Sequence, residues 1–246
     1  MPKRIGIISQ RFAQPLFLGL RRGDNPSFEL IEESSAQLAI KLREKNLDGA
    51  FLSPIDYARD YSMYHIVPEV GAVSVGESGT ILLFFRENIA RINTLAINPG
   101  DTSEIVLASI IFQEKYDTKL KIIPTTESLE DALKKADAFL AVGDEALRLQ
   151  DKPNKMDLVD EWKDITELPY VHGTWVSPEG SLTKDEIEIL ISSSKQVDET
   201  VTEVVPQFRY NLDDIAVKAL GEFFRMAYYH GILKDIPDVK FFLYKS

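Results

Sequence analysis

Apolar residues in this chain fall into short runs separated by stretches in which they recur every three or four positions. The runs at 5–9, at Phe28–Glu32 and at 49–53 read as buried strands, the last ending at Pro54. Between the second and third, Ser34 stands three residues before Gln37 in capping-box spacing. It opens a helix that carries Leu38, Ala39 and Leu42 to about Asn46. A β-rich stretch over 65–86 follows, interrupted by Gly71, Gly76 and Gly79. The alternation then restarts at Ile92. Strands are predicted at 95–97, 121–123 and Ala138–Val142. The helix between the first two begins at Asp101 to Glu104 with Val106, Leu107, Ile110 and Ile111 on one side, and the next spans 128–135 with Leu129, Ala132 and Leu133. The rest reads as mostly helical, at 184–195, 197–205 and 212–229, and Gly231 ends the last helix.

This order predicts an α/β protein in which residues 92–142 form a compact βαβαβ unit. A chain that leaves one lobe, builds a second and returns would make two lobes joined by two crossings. In the last helix, Phe223, Phe224, Tyr228 and Tyr229 fit either core packing or contact with a second copy of the chain, so an oligomer stays open.

Composition narrows the function classes. The 246 residues suffice for one large or two small domains, and 44% are apolar. The net charge of −11 argues against a nucleic-acid partner and otherwise serves solubility. With no cysteine, disulfides and thiolate chemistry are absent. The three histidines, His65, His172 and His230, lack metal-ligand spacing, so no metal site is expected. The apolar run at 5–8 is too short for a signal-peptide core, and no run reaches membrane-spanning length, which gives the expectation of a cytoplasmic protein without a membrane partner.

Candidate chemistry sits where strands end. Ser9, Gln10 and Arg11 follow the first strand, and Ser53 follows the third. Ser78, Gly79 and Thr80 lie in the glycine-rich turn, Thr102 and Ser103 open a helix, and Gly143 and Asp144 follow the Ala138–Val142 strand. Hydroxyls and free backbone donors at such places bind small oxygen-rich molecules. The same residue types also cap helices and turn chains. Arg11 offers a fork suited to a carboxylate, whereas Arg21 and Arg22 read as solvated loop residues. Asp101 can cap its own helix with Glu104 as the box partner, and two carboxylates there would repel an anion.

Gly143-Asp144, the run from Asp157 through Glu161 to Trp162, Thr166, the Leu168-Pro169-Tyr170-Val171 segment and Trp175 together resemble the chorismate-dehydrating family of menaquinone biosynthesis by the futalosine route. The resemblance runs from about Arg4 to the end and is strongest in the middle third. It implies a two-lobed, periplasmic-binding-protein-like (type II) α/β fold with a ligand cleft between the lobes. Residues 1–88 and 176–246 would form domain I and 89–175 domain II, with crossings near 86–92 and 175–178. It further implies a lyase that takes a chorismate-like small carboxylate, eliminates water to give 3-enolpyruvyl-oxybenzoate and uses no cofactor. Thr80 matches the serine of the glycine-rich turn and would be the catalytic hydroxyl, while Phe12 replaces an Asn expected before Pro15-Leu16. A second branch of the family uses a histidine where this chain has Gly143-Asp144, so a late naphthoate-forming lyase would have to rely on His172. A non-catalytic binder of small carboxylates with the same lobes is the remaining alternative, favoured by Phe12, whose ring can pack on a ligand without doing chemistry.

Overall fold

The computed structural model describes residues 1–22, 27–195 and 207–243, so the helix expected at 197–205 lies outside the described residues. The first sheet is built from β1 (Lys3–Ile7), β2 (Phe28–Glu32), β3 (Gly49–Leu52), β4 (Tyr64–Ser74), β10 (Tyr170–Pro178) and β11 (Phe208–Leu212). Its order is β11-β4-β10-β3-β1-β2. Strand β1 runs parallel to β2 and β3, while β10 pairs antiparallel with both β3 and β4. The second sheet holds β5 (Ile81–Phe85), β6 (Thr94–Ile97), β7 (Lys121–Pro124), β8 (Ala138–Val142) and β9 (Lys155–Asp157), in the order β7-β6-β8-β5-β9. The expected βαβαβ unit is its parallel part, β6, α4 (Thr102–Tyr116), β7, α5 (Leu129–Ala132) and β8.

Strand alternation decides what each face of the second sheet buries. Ile81, Leu83, Leu95, Ile97, Ala138 and Leu140 join the large core that continues into the first lobe. Their neighbours Leu82, Phe84, Ala96, Phe139 and Ala141 point the other way, onto Leu129, Ala132 and Ala146. One face of the second sheet therefore helps join the lobes, and the other closes its own helical layer.

The remaining helices are α1 (Gln14–Arg22), α2 (Ser35–Arg43), α3 (Pro54–Arg59), α6 (Asp144–Leu149), α7 (Leu158–Thr166), α8 (Lys184–Ser194) and α9 (Asp214–Tyr229). Ser34 caps α2 by accepting from the Gln37 amide, and Thr183 with Glu186 forms a full capping box on α8. Among the described residues, no helix is long and apolar enough to cross a membrane.

Several expectations are corrected. The segment holding Arg21 and Arg22 is helix α1, not a loop, and Arg21 pairs with Glu32 at 2.6 Å. The last helix starts at Asp214, because 208–212 forms edge strand β11. The chain changes sheets earlier than expected, between β4 and β5 and again between α7 and β10, because β5 pairs with β8 and β10 pairs with β3. Residues 81–88 thus begin in the second lobe, and 170–175 already belong to the first.

Asp157 holds the first crossing. Its Oδ2 accepts from the amides of Ser78 (2.8 Å) and Gly79 (2.6 Å), while its Oδ1 caps α7 through the Val159 amide at 2.8 Å. The turn needs glycine at 76 and 79, where φ is +72° and +70°. At the second crossing, Trp162 Nε1 donates to the Pro169 carbonyl at 2.9 Å, and its buried ring packs on Tyr170 and Phe223. Phe223 and Phe224 are core residues, whereas Tyr228 and Tyr229 are exposed.

Strand β10 runs beside β3 with little room at Gly173, where an added Cβ would lie 2.4 Å from Phe51 Cε1 and 3.1 Å from the Leu52 carbonyl oxygen. Gly173→Ala is expected to lower stability by about 1–3 kcal/mol, the usual range for overpacking a core. Urea unfolding followed by circular dichroism checks this. An unchanged midpoint would mean that the two strands are not packed so closely.

Candidate functional site

Between the lobes lies a cavity of about 150 Å³. From the first lobe come Ile8, Ser9, Gln10 and Phe12 after β1, Glu33, Ser34 and Ser35 at the start of α2, Phe51 and Ser53 at the end of β3, and His172 on β10. The second lobe adds Gly100, Asp101, Thr102 and Glu104 around the start of α4, with Val142 at the end of β8. The chain thus delivers polar residues at strand ends into one interlobe site, as expected for open α/β sheets.

Behind the cavity wall is Asp56, 2% exposed. Its Oδ2 accepts from Ser35 Oγ (2.7 Å) and Ser53 Oγ (2.8 Å), and its Oδ1 from Thr102 Oγ1 (3.0 Å). Arg59 lies 3.4 Å from Oδ1 and supplies the opposite charge. Ser103 Oγ accepts from the Ile55 amide at 3.0 Å, a second tie between α3 and α4. The mouth is held by Gln10 and Arg11. Gln10 Oε1 accepts from the Asp144 amide (2.8 Å), and Asp144 Oδ1 accepts from the Arg11 amide (2.9 Å). Gly143 sits at φ +59° against Gln10, so close that a Cβ there would be 1.9 Å from Gln10 Oε1.

The expected site residues therefore separate into three groups. Ser9, Gln10, Ser53 and Thr102 line the cavity. Arg11, Gly143 and Asp144 form the interlobe latch, and Ser103 braces α4. Arg11 faces Asp144, with Nε 3.7 Å from Oδ2, and is not among the lining residues. Ser78, Gly79 and Thr80 belong to the crossing turn held by Asp157. Thr80 is fully buried, its hydroxyl 3.1 Å from Ser78 Oγ and its carbonyl accepting from the Gly143 amide at 2.7 Å. The expected catalytic hydroxyl thus supports Gly143 from outside the cavity lining.

The start of α4 also differs from expectation. Asp101 makes no side-chain cap to its helix. Glu104 turns inward, 9% exposed, and both carboxyls line the cavity. Burial, reinforced by Asp101, pushes Glu104 up to about 8, and burial with the nearby Glu145 pushes Asp101 up to about 7. Among the described residues, no lysine or arginine lines the cavity to counter these shifts. His172 is also buried, and desolvation lowers its pKa to about 3, so its imidazole is neutral. Its Nε2 lies 2.7 Å from Ser74 Oγ, and Phe12, Tyr170 and Phe208 surround its ring. Sequence reasoning passed over Ser35 and Asp56, although Asp56 stands three residues after Ser53, in the first turn of α3 behind Pro54.

Two lobes of mixed sheet, two crossings and a polar cleft define the periplasmic-binding-protein fold. Structural likeness agrees: the chain is 18% identical to protein AF1704 from Archaeoglobus fulgidus, with a TM-score of 0.70, covering 94% of this chain and 98% of that one. It is 15% identical to the Candida albicans CA3427 gene product, described as having the generic periplasmic binding protein fold, with a TM-score of 0.66 and coverage of 97% and 93%. The periplasmic aliphatic sulphonate binding protein SsuA from Escherichia coli is 12% identical, with a TM-score of 0.63 and coverage of 97% and 95%. The family described as menaquinone biosynthesis matches residues 3–207, and this chain belongs to it.

The acid pair makes stability depend on pH with a definite sign. A carboxyl whose folded pKa lies above its unfolded value takes up a proton on folding. Its stabilising contribution is complete below the unfolded value near 4 and is lost as pH rises through the folded value. With folded values near 7 and 8, melting temperature is expected to fall between pH 5 and pH 9. Glu104→Gln should flatten that decline, and a decline of unchanged steepness would show that Glu104 is ionised throughout.

Proposed function

We propose that the chain is an enzyme of menaquinone biosynthesis acting on a small ring carboxylate, and specifically a chorismate dehydratase that eliminates water to give 3-enolpyruvyl-oxybenzoate. One observation carries this reading: two carboxyls with raised pKa values line an interlobe cavity that also holds several hydroxyls. The elimination breaks a C–H bond at the ring carbon bearing the ether and the C–O bond of the neighbouring hydroxyl. A base takes the proton, the C–H electron pair becomes the double bond that completes the aromatic ring, and an acid gives its proton to the departing hydroxyl. Carboxyls that titrate near neutrality serve both steps, because one member of a close pair holds a proton while the other is ionised. Asp101 and Glu104 take these roles in place of the Asn that Phe12 displaces. The proton held by the pair also lessens the negative charge that the ligand's carboxylates meet in a cavity lined by no lysine or arginine among the described residues.

A cavity of about 150 Å³ suits a ring the size of benzene, so the lobes part at the Gln10–Asp144 latch for a larger substrate to enter. The second reading, binding without turnover, is favoured by Phe12, whose ring stacks on Phe208 at 5.2 Å and presents an apolar wall to the cavity.

The test is incubation of the purified protein with chorismate, followed by mass and ultraviolet absorbance. Loss of one water with an aromatic spectrum is expected. Glu104→Gln and Asp101→Asn should each lower kcat by roughly 10²–10⁴-fold, the usual loss for a general acid or base. Chorismate recovered unchanged from a one-to-one complex would establish the binder instead.

A further inference from the structure

We infer that Asp56 sets the hydrogen-bond polarity of the cleft, so that the wall formed by Ser35, Ser53 and Thr102 recognises a donor group on the ligand, a hydroxyl or an amine, and disfavours a carboxylate there. This rests on the proposed function only in placing a small ring ligand in this cleft. Each of the three hydroxyls has one proton, and each donates it to the same buried carboxylate, at 2.7, 2.8 and 3.0 Å. An ionised carboxylate only accepts, so none of these protons can turn toward the cavity without leaving Asp56 short of a donor. Arg59 Nη1 stands 3.4 Å from Asp56 Oδ1 and sets a positive charge against it.

What remains for the ligand is lone pairs. Ser35 Oγ also accepts from the Ser53 amide at 2.9 Å and keeps one lone pair free, while Ser53 and Thr102 keep two each. All three residues line the cavity, and Asp56 stands behind them. A wall that looks like a set of hydroxyl donors therefore acts as an acceptor wall. Asp56 is thus a positioning residue, acting through the hydroxyls it orients.

The test is calorimetric titration at pH 6 with three probes: 3-hydroxybenzoate, 3-fluorobenzoate and benzene-1,3-dicarboxylate. Fluorine matches the hydroxyl in size but cannot donate. The wild type should bind the hydroxy compound about tenfold more tightly than the fluoro compound, the effect of one hydrogen bond, with the dicarboxylate weakest. In the Ser53→Ala/Thr102→Val double variant the hydroxy preference should disappear while the fluoro affinity persists, which also reports an intact cleft. Asp56→Asn, whose amide can donate to the hydroxyls and free their protons, should shift preference toward the dicarboxylate. The wild-type comparison stands whether or not the variants fold. Equal binding of the hydroxy and fluoro compounds, tightest binding of the dicarboxylate, or no binding of any probe would each overturn the inference. Chorismate left unconverted beside an intact hydroxy preference would overturn the dehydratase reading alone.

Discussion

A carboxylate taken out of water needs several donors around it, and Asp56 finds them on both sides of the cleft. Ser35 and Ser53 come from the first lobe and Thr102 from the second, so the solvation of one buried charge spans the lobes. The Ser103–Ile55 hydrogen bond sets α4 against α3 at the same place. That seating carries Asp101 and Glu104, one before and one in the first turn of α4, into the cavity. The geometry of the acid pair therefore follows from how Asp56 is satisfied.

The second carboxylate that organises the molecule is Asp157, which ties the first crossing to the start of α7. Helix α7 then leads to the second crossing, where Trp162 holds the Pro169 carbonyl. Both connections between lobes thus meet on one short helix of the second lobe. The mouth is fastened separately by Gln10, Arg11 and Asp144, whose groups are partly or well exposed. Exposed pairs of this kind contribute little stability, which suits the opening proposed for ligand entry.

Much of the fold is legible in the sequence because its signals are local. Ser34 caps α2 as its spacing predicts, and the βαβαβ order of 92–142 follows from alternating runs and helical periods. The exchange of strands is not local. Nothing in residues 81–85 or 170–178 themselves says that the first pairs with β8 and the second with β3, so the crossings were placed too late. Strand β11 carries no strand signal of its own, because Arg209, Tyr210 and Asn211 lie together at a sheet edge without clean alternation, and its last residue, Leu212, falls in the predicted helix.

For the site, position was legible and role was not. Strand ends did locate Ser9, Gln10, Ser53 and Thr102 in the cleft. Thr80 and Arg11 lie outside the lining because each is drawn to a tertiary partner, Thr80 to the Gly143 amide and Arg11 to Asp144. Asp101 and Glu104 matched a capping pattern so well that their inward turn went unseen. The most direct test of the account is a ¹³C NMR titration of the side-chain carboxyls, with Glu104 assigned by its loss in Glu104→Gln. A midpoint near pH 8 that falls when Asp101 is replaced by Asn is the predicted result. A midpoint in the ordinary glutamate range near 4 would contradict it, leaving a cavity without the acid pair on which the proposed chemistry depends.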